Sequence, residues 1–190
     1  MYASSGLGRS TVHVLLVVPA VTGIATLFLP FTSNTSPMDA AIDKNLWWVA
    51  DPFFLTMLIT ALSAHWRLSG SLSQVERALA YVVSAISAGV TLWFLALEGH
   101  GAVRETQGLI AMVASMATLL VGAFVVVRNV KRGVADALSP VTAMQVAYLA
   151  NGIFCLTIFY GDWQKGAYYA LVTAGMYLVQ IAWAGRIAAR

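Results

Sequence analysis

Six stretches of this chain, 12–31, 51–68, 77–97, 108–128, 141–160 and 164–185, are apolar over about twenty residues each and carry no Asp, Glu, Lys or Arg away from their ends. A run of that length spans a hydrocarbon core about 30 Å thick as a helix. Hydrophobic residues make up 59% of the chain and charged ones 10%, against about 25% charged in a soluble domain. A chain so poor in polar surface is expected to take lipid as its solvent. The expected fold is a single all-α domain over 1–190: a polytopic helical membrane protein with six transmembrane helices. The first stretch, Val12 to Phe31, is long for the apolar region of a leader peptide and is expected to be retained as a helix.

The basic residues orient these helices. With the N-terminus inside, the inner segments hold Arg9, Arg67, Arg77, Arg128, Lys131, Arg132, Arg186 and Arg190, and the outer ones hold Lys44, Arg104 and Lys165. Short loops rich in Lys and Arg stay on the cytoplasmic side, so both termini are expected there, in a plasma (inner) membrane. Trp47, Trp48, Trp93, Phe159, Tyr160, Trp163, Tyr168 and Tyr169 fall at the outer ends, and Trp66, Tyr81 and Trp183 at the inner ends, as aromatic belts do. The net charge of +3 is scattered over loops with no basic stripe, which argues against nucleic acid.

Short loops make consecutive helices antiparallel neighbours, giving three hairpins. The longest connection opens with a turn at Thr32–Pro37 and is read as continuing in a short surface helix from Met38 to Val49 that closes on Trp47-Trp48. Small residues at four-residue spacing, Ala80/Ser84/Ala88 with Ala85/Gly89 in the third helix and Gly166/Ala170/Ala174 in the sixth, mark faces where backbones approach closely. These faces pack either within the protomer or against a second copy or partner subunit. In length and topology the chain resembles small substrate-binding membrane subunits of vitamin transporters and, equally, small channels, with no motif carried over.

Several polar residues stand out against this apolar background. Glu98 places a carboxylate at the C-terminal end of a helix, where the macrodipole opposes it, and His100 lies between Gly99 and Gly101 beside it. The pair suggests a cation, proton or amine site at the outer mouth, against a plain solvated turn with Gly99 as C-cap. Asp51, before Pro52, reads as the N-cap of the second helix with proline at its first position. Asp162, in Gly161-Asp162-Trp163, reads as a turn residue. If the hairpins share an axis, Asp51, Glu98 and Asp162 form one acidic vestibule. Gln145 and Asn151 in the fifth helix and Gln180 in the sixth are deep amides that need partners, either as interhelical glue or as contacts to a solute, with Tyr148 sharing the face of Gly152.

Other chemistries find little support. His13, His65 and His100 are too dispersed for a haem, no HExxH or CxxC motif suggests zinc, and no phosphate-binding loop or serine elbow occurs. No cofactor is assigned. The reading is a transporter or channel-like protein for a small solute or cation, with the bilayer as its main partner. The alternative is a non-catalytic subunit or scaffold in a larger complex or homo-oligomer.

Overall fold

The computed structural model describes residues 9–44, 47–69, 71–97, 106–131 and 140–182. Within them lie seven helices: α1 (Arg9–Phe28), α2 (Pro37–Asp43), α3 (Trp47–Ser69), α4 (Gln74–Leu97), α5 (Thr106–Lys131), α6 (Pro140–Ile158) and α7 (Lys165–Ala182). Among the described residues there is no strand, only isolated bridges from Thr32 to Thr35 and to Trp163. The fold is all-helical, and two of its helices, over Val49–Trp66 and Pro140–Ile158, are long and apolar enough to cross a membrane.

The bundle is built around α6. Its side chains are buried on nearly every side, from Pro140 through Leu156, because α3, α4, α5 and α7 all lie against it. The hairpin expectation therefore needs amending. Helix α5 does neighbour α6, and α6 neighbours α7, but α3 touches α4 only slightly, and α4 and α5 each lean chiefly on α6. Tyr148 sits at the centre, fully buried, with ring edges meeting Phe53 at 6.2 Å and Tyr177 at 5.0 Å between centroids. Such edge-to-face pairs add stability beyond the area they bury.

Helix α1 runs antiparallel to α7. Leu15 lies opposite Gln180, Thr22 Oγ1 meets Thr173 Oγ1 at 2.6 Å, and Gly166 N–H donates to Pro30 O at 2.8 Å. The small residues of α7 make this close approach possible. A Cβ on Gly166 would stand 2.8 Å from Leu29 O and 2.9 Å from Pro30 O, and Ala170 and Ala174 are buried. The small face of the last helix thus packs inside the protomer. In α4, Ala80 and Ser84 turn inward while Ala85 and Gly89 are exposed. Gly23 of α1 lets α3 approach: a Cβ there would collide with Thr56 Cγ2 at 2.2 Å.

The connection after α1 is a tight turn. Ser33 and Asn34 both adopt positive φ, 42° and 61°, and Thr35 N–H returns to Thr32 O at 2.7 Å. Two successive left-handed residues make a primed turn, a conformation asparagine tolerates and serine pays for. Ser36 then caps α2 reciprocally with Asp39, and Pro37 occupies the first turn. The short helix stops at Asp43, earlier than expected, and Trp47-Trp48 open α3 rather than closing α2. A second reciprocal cap, Ser73 with Glu76, starts α4, and Glu76 Oε1 also lies 3.3 Å from His65 Nε2.

Candidate functional site

The earlier start of α3 changes the meaning of Asp51. It is not an N-cap: four residues of α3 precede it, and Pro52 is the sixth residue of the helix rather than the first. Asp51 Oδ2 instead accepts two hydrogen bonds from other helices, from Ser87 Oγ of α4 at 2.6 Å and from Asn151 Nδ2 of α6 at 2.8 Å. Asn151 is 1% exposed and Ser87 equally so, while Asp51 is half-buried. Oδ1 of Asp51 has no hydrogen-bond partner among the described residues. The Cys155 thiol, one turn further along α6, lies 3.9 Å from Asn151 Oδ1. An acid, an amide, a hydroxyl and a thiol from three helices thus form one cluster in an apolar bundle.

Beside this cluster Ser115 of α5 donates to Ala150 O at 2.9 Å, which fixes the fourth helix to the same level of α6. Ser87, Ser115 and Cys155 were not singled out from sequence. The only hint for Ser87 was its place three residues after Ser84 on the small-residue side of its helix, where a hydroxyl can reach a neighbour.

The other deep amides pair with each other. Gln145 Nε2 donates to Gln180 Oε1, and Gln180 Nε2 donates to Leu15 O, so one relay ties α6, α7 and α1. Tyr148 OH donates to Ala170 O at 3.3 Å, and the ring of Tyr148 lies 3.6 Å from where a Gly152 Cβ would be. These three side chains act as glue between helices. Glu98 and His100 lie outside the described residues.

Asp162 belongs to a different structure. Its Oδ2 accepts hydrogen bonds from Thr32 and Ser33 hydroxyls, which pins the α6–α7 turn to the primed turn after α1. Asn151 lies seven residues before the end of α6, about 10 Å deeper than that end, so Asp51 and Asp162 do not share one vestibule. The Ser33 and Thr32 hydroxyls hold the Asp162 carboxyl below its ordinary range. A carboxyl lowered in the native state adds stability that is full above its unfolded pKa of about 3.9 and fades as pH falls through the native value. The hydrogen-exchange protection factor at residues 31–35 should therefore hold from neutral pH to about pH 4 and fall below it, whereas Asp162→Asn should show a lower protection factor already at neutral pH.

No family model matches this chain, and no curated protein or solved structure matches it. The functional argument therefore rests on the cluster at Asp51.

Proposed function

We propose that the protein is a small integral membrane protein with six spans, both termini cytoplasmic, that binds or conducts a small cation or solute through the Asp51–Ser87–Asn151 cluster. One observation carries the reading: a carboxylate set inside an apolar helix, bonded by side chains of two other helices and with no basic partner among the described residues. Ionisable groups in membrane helices are costly and tend to line ion or substrate paths. Glu98 and His100 would belong to the outer mouth of such a path. Asn151 takes a contact role in this reading, while Gln145, Gln180 and Tyr148 position the helices around it.

Reconstituted into liposomes, the wild-type chain should pass small monovalent cations or amines. Asp51→Asn should lower that flux about tenfold or more, the size expected when a contact worth over about 1.4 kcal/mol is lost. Equal flux in the two proteins would remove the reading.

The scaffold reading draws on α4 and α5, whose outer sides carry Val82, Ile86 and Trp93, and Val113, Leu120 and Phe124, all exposed. Lipid covers such faces as well as a partner helix does. Native mass spectrometry after gentle extraction separates the two, since a stoichiometric partner chain would favour the scaffold.

A further inference from the structure

We infer that the Asp51 cluster holds a single dehydrated alkali cation, with Asn151 turning its amide to supply one of the ligands; this deepens the transport reading above and rests on it. The carboxylate is solvated on one side only. Oδ2 receives both donors, and Oδ1 is left to something positive that the described protein does not provide, since the one ion pair among the described residues is His65–Glu76.

The surrounding atoms form an oxygen set of the kind hard cations take. Ser87 Oγ is already 2.6 Å from the acid. Pro52 has no N–H, so the carbonyl of Trp48, four residues earlier in α3, lacks its ordinary helical donor. One carboxylate with neutral oxygens balances one positive charge, which selects a monovalent ion.

Cys155 makes the turning of Asn151 feasible. As described, the Asn151 amide N–H bonds Asp51 and its Oδ1 faces the thiol at 3.9 Å. A thiol donates weakly and accepts weakly. Rotated by half a turn, Asn151 presents Oδ1 to the cation and Nδ2 to the sulfur, so neither state strands a buried polar atom. The amide thus solvates the bare carboxylate when the site is empty and coordinates the ion when it is filled.

The test is thermal unfolding of the full chain in lipid nanodiscs, in sodium, lithium, potassium or choline chloride at equal ionic strength. A ligand that binds only the native state raises the midpoint with a saturating dependence on its concentration. At least one alkali ion should do so relative to choline, and Asp51→Asn should abolish the effect. Ser87→Ala, a smaller change that carries the test if Asp51→Asn does not fold, should raise the half-saturating concentration about tenfold. No alkali effect beyond choline overturns the inference. So does a midpoint that responds to acidification in choline and not to alkali ions, which would assign the site to a proton. Asp51-dependent amine flux without alkali stabilisation would sink this inference and leave the transport reading standing. Alkali stabilisation without any flux would do the reverse.

Discussion

Replacing Asn151 with leucine should lower stability by about 2–3 kcal/mol, the cost of removing a hydrogen-bond partner from a charged, partly buried group. Leucine keeps asparagine's branched heavy-atom skeleton, so no cavity opens, although its two methyl groups are bulkier than the planar amide and add some overpacking to the loss. It strips Asp51 of the 2.8 Å donor and leaves Ser87 as its one remaining hydrogen-bond partner among the described residues. Asp51→Asn in the same background should recover much of the loss, because a neutral amide tolerates the apolar neighbour. A double-mutant cycle of unfolding free energies in mixed micelles checks this. A coupling near zero would mean that Asp51 and Asn151 do not interact in the membrane, and the site would lose its foundation.

The second large effect is expected at Gly166. Alanine there places a Cβ 2.8 Å from Leu29 O and 2.9 Å from Pro30 O, both backbone atoms that cannot swing aside. The α1–α7 contact must open, and the Gly166 N–H to Pro30 O bond of 2.8 Å is stretched with it. Overpacking of this kind costs about 1–3 kcal/mol. Gly175, on the same helix, has nothing within 4 Å of a built Cβ. Gly175→Ala should be neutral or stabilising by up to about 1 kcal/mol through helix propensity. Unfolding midpoints of the two variants, measured side by side, separate a close approach from a general dislike of change in α7.

Much of the architecture follows from patterns a reader can see in the residues, and the exceptions have physical causes. The apolar runs locate the long helices, and the Gly166/Ala170/Ala174 spacing announces a close contact that the structure fills with α1. Gln145 and Gln180 are legible as amides needing partners, though not as partners of each other. Asp51 was misread because Asp-Pro is a helix-start signature in water. Here Trp47 to Ala50 continue the helix upstream, and tertiary contacts with Ser87 and Asn151 outweigh the local signal. Ser87 was invisible for a related reason. The small residues Ala80 and Ser84 mark the inward face of α4, but nothing in their spacing says which hydroxyl on that face meets a carboxylate from another helix.

The pairing of α1 with α7 has a consequence for the order of assembly. The two helices lie at opposite ends of the described chain, yet Thr22 meets Thr173 and Leu15 O meets Gln180. A chain emerging from the ribosome makes α1 well before its antiparallel partner. Until Lys165–Ala182 arrives, α1 has α3 beside it and an unfilled seam on its other flank. Among the described residues the Asp51 cluster draws on α3, α4 and α6, so it can close before that seam does. Synthesis would then complete the polar centre before it fastens α1 into place.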